Sequence, residues 1–194
     1  RDVAVTGVQT CALPILAFWD EGSGTRSALY DSFVAGVLDT MPDLTLLYAP
    51  NINSYKRFAD GSFAPTTIAW GEDNRTCALR LVGRGAGARM ENRVPGGDVN
   101  PYLALAAMLA GGLHGIEQGL ELEPALEGNA YTSGRPRVPG TLRAARESFH
   151  ASTIARAAFG DDVVDHYTNM ADVELAAFEA AVTDWELRRS FERM

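Results

Sequence analysis

Apolar residues recur at helical spacing in several stretches of this chain and alternate with polar ones in three short ones. Across residues 27–41, Leu29, Phe33, Val37 and Met41 return every four positions, which predicts an amphipathic helix with that stripe in the core. Pro42-Asp43 ends it, and Asp43 is placed to cap a short second helix running through Leu47-Tyr48. Asn100-Pro101 opens another helix, with asparagine as N-cap and proline in the first turn. Its Leu105, Leu109, Leu113 and Ile116 predict a buried stripe, with His114 beside it as a structural residue. Residues 141–150 read as a short helix. Residues 173–191 read as a long one with Leu175, Phe178, Val182 and Trp185 facing inward. Residues 66–70, 76–82 and 88–94 are predicted strands. Between these elements lie a polar, Gly- and Pro-punctuated loop at 51–65, a glycine-rich connection at 83–87 and a long Pro/Gly-rich surface wrap at 121–140.

Composition narrows the function. The 194 residues are 46% hydrophobic, enough for a core of ordinary size, and no second core is apparent. A net charge of −8 argues against nucleic acid or an anionic membrane as the main partner. No apolar run approaches the roughly 18 residues of a membrane span. Cys11 and Cys77 make neither a disulfide framework nor a metal-ligand spacing, which fits a reducing cytoplasm.

Against that acidic background, five arginines crowd into residues 75–93, four of them (Arg75, Arg80, Arg89 and Arg93) in or beside the predicted strands. In a strand over 88–94, Arg89, Glu91 and Arg93 share one face while Met90, Asn92 and Val94 share the other. Two arginines around one carboxylate suit a solvated face as well as a pocket. Arg80 lies on the polar side of the preceding strand, with Arg75 just upstream, and the combination turns the reading toward a pocket for an anionic ligand. Guanidinium groups keep their charge when partly desolvated and bind carboxylates and phosphates through two parallel hydrogen bonds.

Five ordered motifs then carry a family resemblance: Asn53-Ser-Tyr-Lys-Arg57, Ala64-Pro65 with Ala69-Trp70-Gly71, Asn74-Arg75 through Arg80, Arg89-Met-Glu91-Asn-Arg93, and Asn100-Pro-Tyr-Leu103. From about Ala17 to the C-terminus the chain resembles the C-terminal part of the catalytic domain of the glutamine synthetase superfamily. The resemblance implies an α+β fold, an antiparallel sheet with flanking helices. It also implies a full-length homo-oligomeric ring. Residues 1–16 include the string Val5-Thr-Gly-Val-Gln-Thr-Cys-Ala-Leu-Pro-Ile15, which looks like a translated sequencing adapter and is set aside from fold reasoning as a non-native tail. A family motif with two functional histidines would place them at Leu13 and Ile15, inside that tail.

What the resemblance implies chemically is an ATP- and Mg²⁺- (or Mn²⁺-) dependent ligase that joins the γ-carboxylate of glutamate to an amine through a γ-glutamyl phosphate. Glu91 would be a metal ligand, and Arg93 would hold the α-carboxylate of glutamate. Arg57 would approach its reacting end. Arg75 would neutralise the transferring phosphoryl group, and Arg80 and Arg89 would contact nucleotide phosphates. Ammonium-using members carry Glu-Ala-Pro where this chain has Phe63-Ala64-Pro65. An aromatic ring there can shape a slot for an alkyl amine, or it can simply pack the loop. The departure points to the branch that γ-glutamylates larger amines, such as the γ-glutamylpolyamine and γ-glutamylethanolamide synthetases. Glutamine synthetase proper and an inactive anion-binding fragment are the alternatives. With Glu91 as the one family metal ligand it carries, this chain by itself is expected to be inactive.

Overall fold

The structure, a computed structural model, describes residues 11–14, 19–20, 25–62 and 64–191. Helix α1 (Ala28–Asp39) starts where the sequence predicts, with the Ser27 hydroxyl accepting from Tyr30 N at 3.2 Å. Its buried face is Tyr30, Phe33, Val34 and Val37, while Leu29 is 47% exposed. The expected four-residue stripe fails at its first member for a geometric reason. Each four-residue step advances about 40° beyond a full turn, so three steps carry Leu29 about 120° away from Met41. Helix α2 (Met41–Tyr48) follows with Pro42 in its first turn. Thr40, not Asp43, precedes it, and Asp43 instead accepts from Ser152 Oγ at 2.7 Å. A short helix α3 (Ile52–Lys56) interrupts the loop predicted at 51–65.

The sheet has the order β1–β6–β5–β4, from β1 (Cys11–Pro14), β4 (Trp70–Glu72), β5 (Leu79–Val82) and β6 (Arg89–Asn92). A separate antiparallel pair joins β2 (Trp19–Asp20) to β3 (Thr25–Arg26). β6 runs antiparallel to both of its neighbours, but β4 and β5 are parallel, so the sheet is mixed where an antiparallel one was expected. Parallel pairing ordinarily needs a long crossover. Here the pair spans three residues, about 10 Å, and the six-residue return at 73–78 is long enough to cover that distance. The Cys11–Pro14 segment, set aside on sequence grounds, supplies the edge strand beside β6. Ladder pairing uses backbone groups, and proline is tolerated at such an edge.

On the other edge, the 121–140 segment straps β4. Leu126 N donates to Trp70 O at 2.9 Å, and Trp70 Nε1 donates to Glu123 O at 2.7 Å. Asn74 Nδ2 reaches Leu126 O at 3.1 Å and Gly128 O at 2.9 Å, so the edge is covered.

Helix α4 (Pro101–Glu117) begins at the predicted cap, Asn100 accepting from Tyr102 N at 3.0 Å. Asn100→Ala is expected to cost about 1 kcal/mol, read as a lower urea midpoint at unchanged m-value. Its core face is not the leucine stripe, since Leu109 and Leu113 are 48% and 54% exposed. The buried residues are Ala104, Ala107, Met108, Gly111, Gly112 and Gly115, which lie against α1. His114 pairs with Asp39 at 3.6 Å at the helix end, a structural placement.

The C-terminal region is α5 (Leu142–Ala151), α6 (Thr153–Phe159), α7 (Asp161–Ala180) and α8 (Asp184–Phe191). The single helix predicted over 173–191 is therefore the end of α7, a break at Ala181–Thr183 and α8. Of its expected inner stripe only Leu175 is buried, while Val182 and Trp185 are 71% and 65% exposed. Among the described residues no helix is long and apolar enough to cross a membrane.

Candidate active site

Strand alternation positions the polar face. Arg80 on β5 stands directly opposite Glu91 on β6, and Arg89 and Arg93 lie two residues to either side of Glu91. The other face, Leu79, Leu81 and Met90, is buried in the core and fixes the register, because a one-residue slip would turn these apolar groups outward. Glu91 is 6% exposed, and both of its oxygens are engaged. Oε2 accepts from Arg80 Nη1 at 2.8 Å, and Oε1 accepts from Arg89 Nε at 3.1 Å and lies 3.0 Å from its Nη2.

Asp73 extends the cluster, accepting from Arg80 Nε at 2.9 Å and also from Nη2. That hydrogen bond, reinforced by the charge of Arg80, holds the Asp73 carboxyl below the usual carboxylate range. Burial works to lower the pKa of Arg80, but the hydrogen bonds to Asp73 and Glu91 outweigh it and the net shift is upward. Sequence reasoning missed Asp73. Its signal is the turn-like run Gly71-Glu-Asp-Asn74, and Asp73 sits at φ 50, a left-handed conformation that Asp and Asn adopt more readily than most residues.

Arg93 is 6% exposed, with Nε donating to Arg75 O at 3.3 Å. Burial lowers its pKa, and the positive field of Arg80 acts in the same direction. Arg75 is exposed and lines a hollow of about 810 Å³ with Asp73, Asn74 and the 125–128 strap. Arg80 and Arg84 line a neighbouring cleft of about 790 Å³ whose other wall includes Arg26 and Tyr30. The structure therefore joins Arg80, Arg89, Glu91 and Asp73 by direct contact and places Arg93 and Arg75 beside them.

Arg57 approaches from α3 and is 7% exposed. Its Nη2 donates to Val94 O at 2.7 Å, one residue beyond Arg93, while Nε and Nη1 are buried without a hydrogen-bond partner among the described residues. Burial pulls its pKa down, partly offset by Asp98. Gly96 makes the room, because a Cβ there would meet Arg57 Nε at 2.8 Å. Two buried guanidinium donors without acceptors are costly to leave unpaired and match the two oxygens of a carboxylate. The predicted amine-site residue Phe63 lies outside the described residues.

A divalent ion fits this donor set poorly. Among the described residues no group of three His, Cys, Asp or Glu side chains stands together, and Glu91 already serves two arginines. Mg²⁺ needs near-octahedral oxygen donors. The expected metal role of Glu91 thus has no supporting ligands among the described residues.

A small mixed sheet backed by helices, with arginines gathered around one buried carboxylate on its polar face, is the architecture of a segment of a catalytic domain. The chain belongs to the glutamine synthetase family: residues 16–190 match the model for the glutamine synthetase catalytic domain. It is 65% identical over 174 residues to the γ-glutamylethanolamide synthetase of Streptomyces coelicolor, covering 90% of this chain and 37% of that protein. It is 40% identical over 174 residues to a glutamate–isopropylamine ligase of a Pseudomonas species, covering 87% and 38% of the two chains. It is 38% identical over 168 residues to the γ-glutamylputrescine synthetase of Escherichia coli, covering 86% and 36%. A solved GmaS/ADP complex superposes with a TM-score of 0.78 at 28% identity, over 90% of this chain and 42% of that one. The chain spans well under half the length of each of these relatives.

Proposed function

We propose that this chain is the C-terminal part of the catalytic domain of an ATP-dependent glutamate–amine ligase whose amine is larger than ammonium. The observation that carries the reading is the row Arg89–Glu91–Arg93 beside Arg80 on one sheet face. In the reaction, an oxygen of the γ-carboxylate attacks the γ-phosphorus of ATP, and ADP leaves. The amine nitrogen then attacks the acyl carbon of the γ-glutamyl phosphate, loses a proton and expels phosphate.

Both halves of the first step are anions, so positive charge must be fixed in place beforehand. Arg80 and Arg89 bind nucleotide phosphates in this reading, and exposed Arg75 meets the transferring phosphoryl group. Buried Arg93 holds the α-carboxylate of glutamate. Arg57, with two donors still to satisfy, receives the reacting end. The preference for a larger amine rests on the sequence, which has Phe63 where ammonium-using members carry an acidic residue. The family's Mg²⁺ or Mn²⁺ requires donors beyond those described here, so no step is assigned to an ion. For the whole ligase the same reading carries a homo-oligomeric ring working in the cytoplasm.

The test is a graft. Residues 17–191 replace the matching segment of the Streptomyces coelicolor relative, and glutamate-dependent phosphate release is measured with ethanolamine, putrescine, isopropylamine and ammonium. Turnover with alkyl amines exceeding that with ammonium is the expected result. Turnover with ammonium alone would favour glutamine synthetase proper, and a folded but inert graft would remove the ligase reading.

A further inference from the structure

We infer that in this chain Glu91 is an anchor for arginines, and that the face it organises takes a polyphosphate without a divalent cation. The inference rests on the nucleotide reading above and deepens it. Glu91 is buried, and its two oxygens hold separate guanidinium groups at 2.8 Å and 3.0 Å. A cation entering at Glu91 would have to displace both charge-assisted bonds and then sit between two positive charges.

Three of the other carboxylates near the face are committed in the same way, and Glu127 lines the hollow beside Arg75. Asp73 is on Arg80, and Asp31 and Glu72 are on Arg26 at 3.3 Å and 3.0 Å. Positive charge remains in surplus. Among the described residues, Arg80 and Arg89 are held by Asp73 and Glu91, while exposed Arg75 is in no ion pair.

Arg84 adds a further cation on the cleft wall, in no ion pair with the described residues. Its position is fixed by the turn that carries it. Gly83 is at φ 81 and packs on Gly87, Gly87 N donates to Arg84 O at 3.1 Å, and Ala88 N donates to Gly85 O at 3.0 Å. A ligand with several phosphate oxygens can bridge Arg84 and Arg80 and compete with Asp73 for the latter. Chelating that ligand with Mg²⁺ removes negative charge and weakens the attraction.

The experiment titrates the 194-residue chain with ATP by calorimetry at low salt, once in EDTA and once in excess MgCl₂. Binding in EDTA should be at least as tight as in MgCl₂. Arg80→Ala should weaken it roughly ten- to hundredfold. Arg84→Ala should weaken it about threefold with no change in melting temperature. Mn²⁺ titrated alone, followed by its electron paramagnetic resonance signal, should show no stoichiometric uptake. Glu91→Gln should lower the melting temperature and weaken ATP binding in EDTA, because Arg80 and Arg89 lose their shared charged anchor. ATP binding seen only with Mg²⁺, or Mn²⁺ uptake that Glu91→Gln abolishes, overturns this inference and leaves the nucleotide reading standing. No ATP binding in either buffer removes both. Because the EDTA, MgCl₂ and Mn²⁺ arms use the unsubstituted chain, the outcome does not depend on Glu91→Gln folding.

Discussion

Gly115→Ala is expected to destabilise the chain by about 3 kcal/mol, the upper end of overpacking costs, although helix propensity alone predicts a gain of about 1 kcal/mol. The sign is decided by what the new methyl group meets. A Cβ on Gly115 runs into Ser32 O and lies 2.6 Å from Gly36 Cα, both backbone atoms of α1 that cannot rotate away. Gly36 faces Gly111 and Gly115 in return, so the two helices touch main chain to main chain. Any side chain at the crossing must push them apart and open the core around Phe33, Val37 and Met108. Gly112→Ala should cost less, because the atoms nearest its Cβ belong to the ring of Phe33, a side chain, and not to backbone. Urea unfolding of the two variants beside the parent gives the comparison. A Gly115→Ala chain as stable as the parent would mean that the helices are not held this closely.

That crossing also marks where the sequence was hard to read. Hydropathy counts leucines and passes over glycines, so α4 looked as though it buried Leu105, Leu109 and Leu113. Close approach of two helices is instead selected by the smallest side chains, and the leucines turn partly outward. The Asn100 cap was legible because it is a local event, while the Asp43 cap was not, since that carboxylate is drawn to Ser152 by tertiary packing. The break at Ala181–Thr183 was not, since Ala181 takes an extended conformation, with ψ 132, that its own chemistry does not announce.

The site divides the same way. Arg89, Glu91 and Arg93 were placed on one face by period-two alternation, which needs only the strand itself, while Arg80 joins them through the register of β5 on β6. Asp73 and Arg84 belong to turns, and their approach to Arg80 depends on a parallel register and on glycine conformations that no local pattern specifies. The unsatisfied donors of Arg57 are a tertiary fact of the same kind, set by its passage past Gly96.

Arg93→Lys, made in the graft, is expected to lower kcat/KM for glutamate roughly ten- to hundredfold, nearly as much as Arg93→Ala. A lysine keeps the formal charge but offers one point donor where the guanidinium offers a planar fork. It also tolerates the location less well. Arg93 is 6% exposed, and both burial and the field of Arg80 already lower its pKa, a shift that leaves arginine charged at any working pH. The same environment acting on a lysine favours its neutral form. A group with a lowered pKa is charged below that pKa and loses its charge as pH rises through it. Residual activity of Arg93→Lys should therefore fall as the assay moves from neutral to alkaline pH, over a range where the parent graft and Arg93→Ala stay parallel. That pH dependence separates a carboxylate-binding role from a packing role, because a residue that only fills space would show one constant loss at every pH. Equal glutamate kinetics in the parent and Arg93→Lys grafts would remove Arg93 from the substrate site.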